Sequence, residues 1–154
     1  MLCYTAKHHI PFEIDVEDYP IVMQHTWHCD SKGYVATNIN GKIRKLHQLI
    51  MNTPKGMETD HINGDIKNNK KTNLRICTRA QNQHNQKPWV GGSSKYKGVC
   101  FYKKYGNWLV QIHINKKRIH IGYYPSEKEA ALAYNKFVFE LRGEYAYLNI
   151  VQED

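Results

Sequence analysis

Cysteine is scarce and scattered: Cys3, Cys29, Cys77 and Cys100 are the only four, and no two form a CxxC pair. That spacing excludes a zinc ribbon and predicts free thiols in a reducing compartment. No apolar run approaches the roughly 20 residues needed to span a bilayer, and the N-terminus lacks a signal-peptide pattern. The expectation is a cytoplasmic chain with no membrane contact. Carboxylates are the third shortage: 14 Asp and Glu face 22 Lys and Arg, a net charge of +8 with pI near 9.3. From Lys95 to Pro125 there is no acidic residue at all. Such an imbalance favours a polyanionic partner. What the chain does not lack is apolar surface, and hydrophobic residues at 41% exclude a disordered chain.

The 154 residues suit one medium domain or two small ones. QKPWVGGSS, Gln86 to Ser94, breaks the pattern, because Pro88 ends any preceding helix and Gly91, Gly92, Ser93 and Ser94 form a joint. This predicts a domain over residues 1–86, a linker over 87–94 and a second domain over 95–150.

The first 50 residues read as a small β meander followed by a short helix. FEIDV, Phe12 to Val16, alternates as a strand. YVATNI and KIRKL flank Asn40-Gly41, a pair suited to a two-residue hairpin turn. LHQLIM, Leu46 to Met51, has helical spacing.

Thr59 to Asn85 holds the densest chemistry: TDHINGDIKNNKKTNLRICTRAQNQHN. It is not an EF-hand, because counting from Asp60 puts Ile62 and Gly64 where oxygen ligands belong. A structural zinc site fails for want of closely spaced Cys or His. Local signals instead predict a strand from Glu58 to Ile62, a turn at Asn63-Gly64, a polar loop through Thr72 and a second strand from Leu74 to Cys77. Thr78 and Gln81 form a capping box for a helix running to about Lys87, on which Asn82 and Asn85 share a face. The outcome is a ββα unit whose helix lies against the strand carrying Asp60 and His61. A carboxylate, an amide oxygen and an imidazole brought together there can bind a hard divalent cation and take a proton from water, the groups phosphodiester hydrolysis requires.

The pattern DHINGD…NN…TNLRICT…QN..N resembles the HNH endonucleases, in particular the phage and intron-associated homing type with a ββα-metal core. The resemblance covers about residues 46–86. It implies Asp60 and Asn82 as ligands of one divalent metal, Mg2+ or Mn2+, and His61 as general base. It implies Asn73 as the central Asn that braces the loop. His47 matches a His commonly followed by Arg in these proteins, whereas Gln48 follows here. Arg75 reads equally as a DNA-backbone contact or a support of the fold, Asn85 as a further support, and His84 as facing solvent or DNA.

In the second half, YKGVCFYKK, NWLVQIHI and KRIHIGYY have the pattern of three strands, with turns at Tyr105-Gly106-Asn107 and Asn115-Lys116. Alternation predicts one face with Val99, Phe101, Trp108, Val110, Ile112, Ile119 and Ile121. The other carries Lys97, Cys100, Tyr102, Gln111, His113, Arg118 and His120. A helix capped by Ser126 and Glu129 and stopped at Gly143 should cover the apolar face with Ala130, Ala133, Tyr134, Phe137, Val138 and Leu141. The free basic face has the size to enter a DNA major groove, and its aromatics also suit stacking on single-stranded bases.

SKYKGV, Trp108, IGYYPSEKEAALAYN and LRGEYAYLN resemble the AP2 DNA-binding domain over Ser94 to Asn149. This implies a three-stranded antiparallel sheet with one packed helix, reading the major groove of double-stranded DNA through Lys97, Tyr102, Gln111, His113, Arg118 and His120. Plant AP2 domains usually carry several Arg on that face, and this one carries a single Arg.

The expected fold class is α+β: a small β meander, a ββα-metal module and an AP2-like sheet-and-helix module. The expected function is a site-directed, metal-dependent DNA endonuclease of homing type, acting as a monomer or dimer without a protein partner in a bacterial or phage-infected cell. The competing readings are a DNA-binding regulator whose nuclease module serves only for docking, and a non-specific nuclease such as a toxin.

Overall fold

A computed structural model of the chain describes residues 1–88, 91–115 and 117–152. The chain divides into two compact units, Met1–Gln83 and His84–Asp154. Trp89 and Val90 of the expected linker and Lys116 of the expected Asn115-Lys116 turn lie outside the described residues.

The first unit opens with β1 (Leu2–Tyr4) paired antiparallel to β2 (Pro11–Glu13), followed by a 3-10 turn and α1 (Tyr19–Met23). The strand expected to reach Val16 thus stops at Glu13. Phe12 and Ile14 are buried as alternation requires, but Val16 is exposed where the chain turns into the 3-10 segment. A three-stranded antiparallel sheet follows, in the order β3 (His28–Cys29), β4 (Val35–Ile39), β5 (Lys42–Lys45). Asn40 and Gly41 both have positive φ, 51° and 77°, which is the backbone of the two-residue turn their side chains permit. α2 (Leu46–Ile50) buries Leu46 and Ile50 in a core shared with Phe12, Ile14, Trp27, Val35 and Leu74.

β6 (Glu58–His61) and β7 (Leu74–Cys77) form the expected antiparallel pair, with Glu58 opposite Cys77 and Asp60 opposite Arg75. α3 (Arg79–His84) follows at once. Its capping box closes in both directions: Gln81 N donates to Thr78 Oγ1 at 3.3 Å, and Thr78 N donates to Gln81 Oε1 at 2.8 Å. The helix ends at His84, short of Lys87. Pro88, four residues on, has no N–H to give the His84 carbonyl, which instead accepts Lys97 Nζ at 3.0 Å and Tyr147 N at 3.4 Å.

The second unit is an antiparallel sheet, β8 (Val99–Tyr102), β9 (Asn107–Ile114) and β10 (Lys117–Tyr124), with β9 central. α4 (Glu127–Arg142) lies across all three strands. Ser126 Oγ caps it by accepting Glu129 N at 3.1 Å, and Gly143 ends it at φ 56°. Ala130, Ala131, Tyr134 and Val138 are buried against Val99, Val110 and Ile112. The stripe is displaced toward Ala131 from the one periodicity predicts, and Leu141 is left exposed. Val110 and Ile112 on the central strand are buried, whereas Phe101 and Ile119 on the two edge strands remain substantially exposed. The whole is an α+β fold of several small sheets. Among the described residues no helix is long and apolar enough to cross a membrane.

Candidate functional site

The loop between β6 and β7 is built from polar side chains that bond its own backbone. Asn63 and Asp65 make Asx-type turns, their Oδ1 atoms accepting Asp65 N at 2.8 Å and Lys67 N at 3.0 Å. Asn73 ties the two ends together. Its Oδ1 accepts Asn63 N at 3.1 Å, its Nδ2 donates to Asn68 O at 2.8 Å, and its carbonyl accepts Ile62 N at 2.8 Å. β2 holds the loop from outside through Glu13 N to Lys67 O and Asn69 N to Glu13 O, both 2.8 Å.

Asp60 and His61 end β6 and are nearly buried, at 8% and 4% exposure. Arg75, opposite Asp60 across the ladder, donates Nε and Nη2 to Asp60 Oδ2 at 3.0 and 2.7 Å. This geometry lets Arg75 orient the Asp60 carboxylate. His61 Nε2 lies 3.3 Å from Asn69 Oδ1. Because Asn69 Nδ2 donates to Lys67 O at 3.2 Å, its oxygen is the end facing His61, so Nε2 carries the imidazole proton and Nδ1 the lone pair. Burial lowers the His61 pKa, the Asn69 bond and the charges of Asp60 and Asp65 raise it, and Lys45 lowers it. The net effect is downward, keeping the ring neutral at physiological pH.

His47 stands beside it, ring centroids 4.8 Å apart at 74°, and Tyr34 packs on both. Burial first, then His61 and Lys45, push His47 down to about 3, and its buried Nδ1 has no hydrogen-bond partner among the described residues. Burial thus leaves His47 without cationic charge. Outside it, a groove of about 310 Å³ runs between α2 and the 52–57 turn, with Arg44, Lys45 and Lys55 on its walls and no carboxylate among its lining residues.

On α3, Asn82 Nδ2 donates to Glu58 Oε2 at 2.6 Å, linking the helix to β6. Asn85 falls in the turn after α3, not on the helix with Asn82. His84 is half-buried, and burial, Arg142 and Lys97 lower its pKa.

Oxygen donors on β6 and α3 suit a hard divalent cation. Among the described residues no three of His, Cys, Asp and Glu are grouped to hold a metal, so a cation here must also draw on other oxygens. The Asn82 amide is of the right kind. Cys77, opposite Glu58, is a poor rival, because burial and then Asp60 hold its thiol pKa up despite Arg75. The donor chemistry therefore fits a hard divalent cation.

The open face of the second unit carries Cys100, Leu109 and Tyr123 in one cross-strand row, Gln111 and His120 in another, and His113 with Arg118 in a third. His113, Arg118 and His120 are exposed, while Tyr102 and Gln111 are half-buried. Lys97 does not belong to this face. It precedes β8, its Nζ donates to the His84 and Gln86 carbonyls at 3.0 and 2.5 Å, and burial with Arg142 lowers its pKa to about 8. Tyr123 takes its place. The ladder shifts register between His120 and Gly122, so Tyr123 leaves the apolar parity of Ile119 and Ile121 and joins the open side. There it meets His120 at 4.7 Å and Tyr102 at 5.4 Å, with Tyr105 also 5.4 Å from Tyr102. Tyr123, like Glu58 and Asn69, is a site residue that sequence reasoning missed. The only signal for Glu58 was its two-residue spacing from Asp60.

Residues 52–84 match the HNH endonuclease family model, and residues 94–144 match the AP2 domain. An uncharacterised HNH endonuclease of Acanthamoeba polyphaga mimivirus is 31% identical over 142 residues, covering 88% of this chain and 73% of that protein. An AP2-like ethylene-responsive transcription factor of Arabidopsis thaliana is 36% identical over 62 residues, 40% of this chain and 13% of its own length. An APETALA2-like protein of Oryza sativa is 34% identical over 62 residues, 14% of its length. No solved structure matches. Extending over most of both chains, the viral likeness joins the two domain matches in one frame: this chain belongs to the HNH endonuclease family and carries an AP2 domain in its second half.

Proposed function

We propose that the protein is a site-directed DNA endonuclease of homing type, with an HNH nuclease domain over residues 1–86, a linker over 87–94 and a DNA-reading domain over 95–150. The observation that carries the reading is the pairing of a neutral, tautomer-fixed His61 with the Arg75-oriented carboxylate of Asp60 at the end of one strand. Asp60 and Asn82 hold one divalent cation, Mg2+ or Mn2+. When bound, that cation supplies Lewis-acid stabilisation of the charge developing on the scissile phosphate and the leaving oxygen. His61 accepts the proton of the attacking water at Nδ1, while its Nε2–H goes on donating to Asn69 Oδ1, which stabilises the imidazolium that forms. Asn73 holds the loop closed behind the base. Arg44, Lys45 and Lys55 give the DNA backbone a path of matching charge past the site. On the second unit, Tyr102, Gln111, His113, Arg118 and His120, with Tyr123, face the double helix and bias the site cut. The viral relative supports a setting in an infected cell.

Incubation with duplex DNA tests this reading. Wild type should cleave or nick with Mg2+ or Mn2+ and not with EDTA, and His61→Ala should lose at least about 100-fold in rate while binding DNA as wild type does. Cleavage by His61→Ala at the wild-type rate would remove the base assignment, and tight binding by wild type with no cleavage under any divalent metal would favour the DNA-binding regulator.

A further inference from the structure

Glu58 stands two residues before Asp60 on β6, so alternation places both carboxylates on one face of the strand. Its Oε2 accepts Asn82 Nδ2 at 2.6 Å, a short, charge-assisted bond. An ionised carboxylate only accepts, whereas a primary amide donates at one end and accepts at the other. The bond therefore chooses between the two flips of the Asn82 amide: Nδ2 must face Glu58, and Oδ1 must face away from it. A cation binds an amide through its oxygen, so one flip is useful to it and the other is not.

Packing alone does not make that choice. α3 has only six residues and none of them is buried. What fixes it is the strand before it, the Thr78–Gln81 cap, which restrains the first turn, and the Glu58 bond, which reaches the side chain itself. Glu58 is thus related to Asn82 as Arg75 is to Asp60, each an outer partner holding the group that binds.

Resting on the reading of Asn82 as a metal ligand, we propose that Glu58 is the positioning residue of the cation site: it binds the Asn82 amide nitrogen and so presents Oδ1 to the metal. Its contribution passes through Asn82 and not through a bond of its own to the cation.

The test is Mn2+ alone titrated into the full chain, with free Mn2+ followed by electron paramagnetic resonance, for wild type, Glu58→Ala, Asn82→Ala and the double variant. Each single variant should weaken Mn2+ binding by about 10- to 100-fold, as loss of an outer partner or ligand does. In the Asn82→Ala background, removal of Glu58 should cost no more than about twofold, since it has no amide left to orient. Wild-type Mn2+ affinity in Glu58→Ala, with affinity lost in Asn82→Ala, would overturn the positioning role and leave Asn82 as ligand. A full Glu58 effect in the Asn82→Ala background would make Glu58 a ligand itself and overturn it equally. Wild-type affinity in Asn82→Ala would remove the ligand reading on which the proposal stands. If thermal melts show Glu58→Ala unfolded, Glu58→Leu, which fills the space but cannot accept the Asn82 bond, is measured in its place, with the same outcomes required.

Discussion

At the scale of single residues, the site is a set of polar groups each turned by a neighbour. Asp60 is held by Arg75, His61 by Asn69, and Asn82 by Glu58. The two imidazoles at its centre are buried and neutral, which has a consequence for stability. An unfolded chain takes up a proton at His47 near pH 6.5, whereas the folded chain refuses it until about 3. Between those values the unfolded state binds more protons, so stability falls as pH drops, by up to about 1.4 kcal/mol per pH unit. His61, also lowered, acts in the same direction. Calorimetric melts of the first unit's transition between pH 7 and 4 should therefore show a falling midpoint, with a shallower fall in His47→Gln; an unchanged slope in that variant would assign the acid sensitivity to other groups. Asp60, His61, Asn73 and Asn82 stood out in the sequence because their order and spacing match a known motif. Glu58 and Asn69 did not, since each is recognisable only by the side chain it meets after the strand and loop have folded.

At the scale of elements, alternation and capping were read well, and irregularities were not. The hairpin at Asn40-Gly41, the β6–β7 pair and the Ser126 cap follow from local signals that tertiary packing does not oppose. The register shift before Gly122 depends on pairing with β9, so Tyr123 was assigned to no face and Lys97 was put on the wrong one. The early termination of α3 was half legible: Pro88 removes the donor, but only the fold brings Lys97 to the orphaned His84 carbonyl. Gly98 shows how closely α4 meets the sheet. Its φ is 76°, and a Cβ there would lie 2.2 Å from the Tyr134 ring, with Tyr134 itself almost wholly buried. Gly98→Ala must strain the backbone and displace a core ring, and should destabilise the second unit by about 2–4 kcal/mol in chemical denaturation. A loss under about 0.5 kcal/mol would mean that helix and sheet can separate without penalty, contrary to this packing.

At the scale of the whole molecule, an HNH endonuclease match and an AP2 domain share one chain, and on the proposed reading linkage raises the local concentration of the first wherever the second binds. Division of labour makes the two separable by measurement. Arg118→Ala, on the exposed open face, should weaken DNA binding and lower the slope of log affinity against log salt by about one, without changing the cation requirement for cleavage. An unchanged slope would take Arg118 off the phosphate contacts. On the proposed reading, one chain both chooses and cuts its DNA. The most direct test is to sequence the cleavage sites made by the full chain in a library of random duplexes with Mg2+ or Mn2+. Cuts should cluster at a shared sequence, vanish in His61→Ala, and spread over many sequences when Gln111 and Tyr123 are both replaced by Ala. Cuts scattered without preference in wild type, or unchanged in His61→Ala, would contradict it.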